Sequence, residues 1–149
     1  MKISELAKAA QTQAETIRFY EREGLLPQAA RTESNYRSYD QSSIERLAFI
    51  RHCRSLDMAL DEIRTLLRFK DAPSAQCGDV NTLLDEHIDH VTKRIRELKA
   101  MEKTLKAMRL QCRDAQLAKD CGILNGLVEA AHQPTASPQP RGHIQGTHR

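Results

Sequence analysis

From Val80 to Cys112 the chain contains neither proline nor glycine. Over this stretch apolar residues recur at Leu84, Ile88, Val91, Ile95, Leu98, Met101, Leu105 and Met108. Steps of three and four are the period of an α-helix with a single apolar stripe. The spacing is near-heptad, with one irregularity where two steps of three adjoin at Ile95, Leu98 and Met101. Cys77 and Cys112 stand at the two ends, and Cys121 follows after eight residues.

Residues 77 and 112 are 35 positions apart, which is roughly 50 Å along a continuous helix. Those two thiols cannot meet within one chain. A lone apolar stripe on so long a helix wants a partner helix, and a second copy of the chain is the simplest. A parallel pair brings Cys112 to the Cys112 of the partner subunit. An antiparallel pair brings Cys77 towards Cys112 and Cys121 of the partner subunit, building two equivalent three-thiolate sites per dimer. Stripe and length alone leave both orientations open.

The 149 residues suffice for one modest domain and an extension. Aromatics are 4% and there is no tryptophan, so a large globular core is not expected, while 29% charged residues suit solvated helices. Met1–Ala10 is a short amphipathic pattern rather than an apolar leader, and no segment is long enough to span a membrane. The expectation is a cytoplasmic protein in a reducing compartment, where four cysteines point to metal binding or reactive thiols rather than disulfides. A net charge of +3 decides nothing, so nucleic-acid binding rests on where the arginines sit.

Residues 4–10 read as a short helix with Ser4 as N-cap, and 14–24 as a second helix ended by Gly24. Two short helices across a QTQ turn fit a helix-turn-helix. The second helix presents Gln13, Glu15, Thr16, Arg18 and Tyr20 on the part that meets bases and phosphates. Pro27 breaks the pattern, and Ser34-Asn35 marks the turn of a small β-hairpin. On it Arg31, Tyr36, Arg37 and Tyr39 interleave charge and ring, as a wing along the sugar-phosphate backbone requires. A loop packing its tyrosines onto the helices is the bland use of the same residues.

Ser42 and Glu45 read as a capping box for a third helix, with Ile44, Leu47, Ile50, Cys53 and Leu56 inward. Cys53 is expected as a small buried hydrophobe, His52 as a surface residue, and Arg51 and Arg54 within reach of phosphates. A fourth helix over 56–71 turns Leu60, Ile63, Leu66 and Leu67 inward, with Asp61 and Glu62 favouring its N-terminus. After Cys121, GILNGLVEAA reads as one or two helical turns that pack Ile123, Leu124 and Leu127 on the dimer. Residues 132–149 are a Pro-, Ser-, Gln- and His-containing tail, disordered by composition.

IRFYEREGLLP, NYRSYD, ERLAFIRHCRSLDMALDEI and the cysteine-flanked long helix together resemble the MerR family of metal-responsive transcription regulators. The resemblance covers roughly residues 2–128. CGDVNTLLDEHIDHV and CGILNGL are similar to its cadmium- and lead-responsive members. It implies a mainly α fold: a winged helix-turn-helix with a small β-hairpin wing, then a long dimerisation helix forming an antiparallel coiled coil. The segments are 1–71 for the DNA-binding head, 72–112 for linker and dimerisation helix, 113–131 for metal-binding loop and short helix, and 132–149 for the tail. It also implies a metal site made of Cys77 from one chain with Cys112 and Cys121 from the other. The implied partners are a second copy, palindromic operator DNA, and RNA polymerase at a promoter that metal-bound protein bends and untwists. Motif match carries Arg18, Tyr20, Tyr36, Arg37 and Arg54 over as DNA contacts. Gln13, Thr16, Arg31 and Asn35 join them from helix and wing placement.

Three thiolates are soft donors, favouring Cd(II), Pb(II), Zn(II) or Hg(II) over magnesium or calcium. The local sequence favours Cd(II) or Pb(II) as effector, with Zn(II) or Hg(II) open. A second site is suggested by His87 and His90, three apart on the long helix, with Glu86 and Asp89 nearby and His143 and His148 in the tail. The rival reading is a thiol-based redox regulator of the same fold. An Fe–S cluster wants cysteines closer than positions 53, 77, 112 and 121. No Ser/His/Asp, Cys/His or phosphate-loop constellation argues for an enzyme.

Overall fold

The computed structural model describes residues 1–34 and 37–133, the side chain of Arg37 excepted. The chain divides into two compact units, the first from Met1 to Leu84 and the second beginning at Asp85.

In the first unit, α1 (Ile3–Ala9) and α2 (Ala14–Arg22) are joined by a turn in which Gln11 takes a left-handed φ of 53°. β1 (Ala30–Arg31) pairs antiparallel with β2 (Arg37–Ser38), Ala30 opposite Ser38 and Arg31 opposite Arg37. α3 (Gln41–Ser55) and α4 (Leu60–Lys70) complete a helix-turn-helix with a hairpin wing. One core cluster joins Leu6, Ala7 and Ala10 of the first helical segment to Ile17, Leu26, Tyr39 and Leu47. The other joins Leu25, Ile50, Cys53 and Met58 to Ile63 and Leu67 of α4. The half-buried Tyr20 packs against both clusters and so ties α2 to α3 and α4. Burial raises the Cys53 thiol pKa, consistent with a hydrophobic role.

Tyr39 belongs to this core rather than to the face of the wing. It is 4% exposed, and its hydroxyl donates to the buried Glu21 carboxylate at 2.7 Å. Arginines fasten the helix ends. Arg46 donates to the Leu25 carbonyl at 2.8 Å and to Asp71 at 2.9 Å, and its guanidinium holds the Asp71 carboxyl below the ordinary range. Arg64 donates to the Glu23 carbonyl at 2.7 Å, satisfying the C-terminus of α2.

Four helix ends differ from the sequence reading. α1 starts after Lys2 with no side-chain cap, so Ser4 does not cap it. α3 is capped by Asp40 rather than by a Ser42–Glu45 box: Asp40 Oδ1 accepts from the Ser43 amide at 3.3 Å and from the Ser42 hydroxyl. A carboxylate that gathers both donors outcompetes a hydroxyl, and the Ser42 hydroxyl and Ser43 amide lower its pKa. α3 also stops before Leu56, because Asp57 turns to φ 60°. Leu56 is therefore 50% exposed instead of inward. α4 begins at Leu60, where the Ala59 amide donates to Glu62 at 2.9 Å, half of a capping box without the N-cap side chain.

Gly24 ends α2 with a left-handed φ of 74°, and no atom lies within 4 Å of where a Cβ would stand. Its requirement is conformational, not steric. Gly24→Ala is expected to lower stability by about 1–2 kcal/mol with an unchanged denaturant slope, measured by urea unfolding.

α5 (Gly78–Arg109) is one helix of 32 residues, about 48 Å long. It ends at Arg109, so Cys112 lies beyond it rather than on it. Leu84, Ile88, Ile95, Leu98, Met101 and Leu105 of the apolar stripe are each 38–63% exposed in the single chain. A 3₁₀ turn at Ala118–Asp120 leads into α6 (Gly122–Ala131), which at ten residues is longer than the expected one or two turns. Leu124, Leu127 and Val128 of α6 are also exposed. No helix among the described residues is long and apolar enough to cross a membrane.

Candidate metal centre and nucleic-acid interface

The first unit gathers polar groups at the mouth of the helix-turn-helix. Gln13 is the N-cap residue of α2, and its side chain makes no cap bond. Gln13, Thr16, Tyr20 and Arg54 line one open cleft of about 380 Å³ together with Gln11, Thr12 and Arg51. Arg54 donates to the Met58 carbonyl at 2.9 Å, and Arg51 to the Gln11 side chain at 2.9 Å. Both arginines are thus held at the cleft by neutral partners. Arg18 lies outside the cleft, exposed, pairing with Glu15 at 3.3 Å. Arg31 is exposed on β1. Asn35, Tyr36 and the side chain of Arg37 lie outside the described residues. Sequence reading missed Gln11 and Thr12, whose signal was the polar QTQ turn that opens the cleft.

Cys77 and Cys121 stand at helix N-termini, and Cys112 follows the end of α5. The Cys77 carbonyl accepts from the Asn81 amide at 3.1 Å, which makes this exposed residue the N-cap of α5. Cys121 is the N-cap of α6. Amides of Leu124, chiefly, and Ile123 face its sulfur and, with the Cys112 thiol, lower its pKa. The Cys112 thiol is raised, first by its hydrogen bond to the Cys121 sulfur and then by desolvation. Its proton has a second acceptor in the Asp114 carbonyl at 3.5 Å. Arg109 donates to the Cys112 carbonyl at 2.7 Å, and Asn125 donates to the Lys119 carbonyl at 3.2 Å, fixing the loop at both ends. Two thiols are therefore paired within the second unit, while Cys77 belongs to the first.

This donor set suits a soft divalent ion. Thiolates are the preferred donors of such ions, and the amides at the N-terminus of α6 favour the deprotonated form at Cys121. His87 is 4% exposed and His90 is exposed, their rings 6.5 Å apart in an edge-on arrangement. Burial of His87 departs from a fully solvated polar face. Glu86 is exposed one position away, about 100° round the helix. Among the described residues no group of three metal donors includes it. His143 and His148 lie outside the described residues.

Two family profiles match: "MerR HTH family regulatory protein" over residues 1–70 and "MerR, DNA binding" over residues 44–108. The transcription regulator PbrR691 from Ralstonia metallidurans CH34, solved in complex with lead(II), is 50% identical. That alignment covers 85% of this chain and 98% of that one, with a TM-score of 0.72. The ZntR homolog of Haemophilus influenzae, an HTH-type transcriptional regulator, is 47% identical over 98 residues, 66% of this chain and 73% of its own length. The mercuric resistance operon regulatory protein of Bacillus cereus is 35% identical over 128 residues, 86% of this chain and 97% of its own. With its helix-turn-helix, long helix and matched length, the chain belongs to the MerR family: it is a metal-responsive transcriptional regulator and not an enzyme.

Proposed function

We propose that this regulator is a cytoplasmic homodimer that senses Cd(II) or Pb(II) and activates a metal-resistance promoter by distorting operator DNA. The observation that carries the reading is the division of the thiols. Cys112 and Cys121 form a pair beyond the C-terminus of α5, and Cys77 caps the other end of that 32-residue helix. In an antiparallel dimer, Cys77 faces Cys112 and Cys121 of the partner subunit. The exposed stripe from Leu84 to Leu105 forms the seam.

Bound there, the ion supplies coordinate bonds that cross the dimer. The residues of the chain do the rest. Cys77 joins the N-terminus of α5, and with it the end of the DNA-binding head, to the loop carried by the partner. Any shift at that junction changes the relation of the two heads and so favours one of two DNA-bound arrangements. Gln13, Thr16, Tyr20 and Arg54 present the helix-turn-helix cleft to DNA, and Arg18, Arg31, Asn35, Tyr36 and Arg37 are the further contacts of the reading. Operator deformation costs several kcal/mol, which backbone contacts must offset. RNA polymerase then reads the realigned promoter. Zn(II) and Hg(II) share the donor preference and compete for the site.

A panel of Cd(II), Pb(II), Zn(II), Hg(II) and Cu(I) in operator-promoter transcription tests the reading. Activation by a soft divalent ion, lost when Cys77, Cys112 and Cys121 are all changed to serine, is expected. A full response in that triple variant would reject it. The adjacency of Cys112 and Cys121 also suits a disulfide, so peroxide is included without metal. Activation by peroxide alone would favour the redox reading. Arg18→Ala is expected to weaken operator binding without moving the thermal midpoint, and to lower the salt slope by about 1, measured by salt titration of binding.

The His87–His90 pair is proposed as a second metal site with the tail histidines His143 and His148 and the helix carboxylate Glu86. Removal of residues 132–149 is expected to lower the bound metal by one equivalent per chain in an equilibrium titration. Unchanged stoichiometry would remove this second site from the scheme.

A further inference from the structure

The pairing of Cys112 with Cys121 is fixed by their neighbours. A Cβ built on Gly122 would lie 2.6 Å from the Gln111 carbonyl oxygen and 3.3 Å from the Gln111 Cβ. The residue before one cysteine is thus pressed against the residue after the other, closer than any side chain allows. One helical turn on, a Cβ on Gly126 would lie 3.1 Å from Gln111 Oε1. The Gln111 side chain therefore lies across two glycines of α6, and its backbone rests on the first. Helix propensity does not explain these glycines, since each costs α6 about 1 kcal/mol relative to alanine. α6 has few other restraints on this loop: the Asn125–Lys119 bond is at the far side of Cys121.

We propose that Gln111, Gly122 and Gly126 form a clasp that sets the separation of the Cys112 and Cys121 sulfurs before any metal arrives. They are positioning residues, not ligands. The clasp rests on the reading of Cys112 and Cys121 as metal ligands for its purpose, but its geometry is a property of the metal-free loop. It follows that ion size is read against a preset thiol pair. Residues that hold ligands typically change metal affinity by 10–100-fold when altered.

The test uses the full-length dimer with two readouts. The first is Cd(II) and Pb(II) affinity by chelator competition, followed through thiolate-to-metal charge-transfer absorption. The second needs no metal: oxidised glutathione converts the Cys112 and Cys121 thiols to a disulfide, releasing two reduced glutathione molecules. The equilibrium gives the effective concentration of one thiol at the other. Gly122→Ala must displace backbone, so it is expected to lower both readouts about 10–100-fold, whatever stands at position 111. Gly126→Ala meets only the movable end of a side chain. Its smaller loss is expected to be restored by adding Gln111→Ala. Metal-free operator affinity is expected to stay at the parent value in every variant.

Because both alanines favour helix, melting of α6 by poor propensity is not an available cause. Wild-type effective concentration in Gly122→Ala, or a Gly126→Ala loss that Gln111→Ala does not restore, overturns the clasp. Metal affinity unchanged in Cys112→Ser overturns instead the metal-site reading on which its purpose rests.

Discussion

A dimer that pairs a Cys77→Ser protomer with a Cys112→Ser/Cys121→Ser protomer is expected to keep about half of the parent's tight thiolate-bound metal, while neither variant alone keeps any. The arithmetic follows from sharing. In the mixed dimer one shared site loses all three thiols, and the other keeps all three. In the homodimers every site is broken. Structural zinc sites release an apparent 10–16 kcal/mol over four ligands, which is roughly 2.5–4 kcal/mol per ligand, or on the order of a hundredfold in affinity for each thiolate lost. A site built within one chain predicts no recovery on mixing. Co-expression with two purification tags isolates the mixed dimer, and metal analysis of that fraction decides between the two. Parallel association would also give no recovery, so the same experiment tests orientation.

The second large effect concerns the seam. Ile95→Glu with Leu98→Glu is expected to convert the protein to a monomer that no longer binds its operator at concentrations saturating the parent. Ile95 and Leu98 are 47% and 45% exposed in the single chain, one turn apart on the stripe. Burial of such a side chain contributes about 1.5–3 kcal/mol, so four altered positions per dimer remove on the order of 6–12 kcal/mol. A micromolar dimer is held by about 8 kcal/mol. The loss is thus comparable to the whole association energy, before the cost of burying carboxylates. Sedimentation equilibrium reads the mass, and operator binding reads the function. A stable dimer in this variant would place the seam elsewhere.

The long helix was legible because its period persists over some thirty residues, so no single side chain decides it. Its end was not. Nothing between Met108 and Cys112 is a helix breaker, and α5 stops at Arg109 where the chain turns to set Gln111 on Gly122. That contact joins positions eleven apart across a loop, and no local pattern announces it. The glycines of CGILNG were visible, but their partner was not. Caps failed for a related reason. Ser42 and Asp40 are both good N-cap residues, and only the geometry showed one carboxylate collecting two donors. Tyr39 was legible as either a wing residue or a core residue, and its bond to Glu21 resolved it. The cysteines were legible as candidate donors from type and spacing, whereas the placement of Cys77 and Cys121 at helix N-termini came from the fold.

That placement has a consequence in charge balance. A divalent ion among three thiolates leaves a cluster of net charge −1. Each helix N-terminus carries the equivalent of about half a positive charge. Cys77 and Cys121 both stand on such ends, so in the proposed shared site two helices together would supply roughly one positive charge. A monovalent ion in the same cage would leave −2, one negative charge more for the helix ends and for Arg109 beside Cys112 to balance. In the proposed site, backbone dipoles thus add to the preference for a divalent over a monovalent ion without any residue dedicated to the choice.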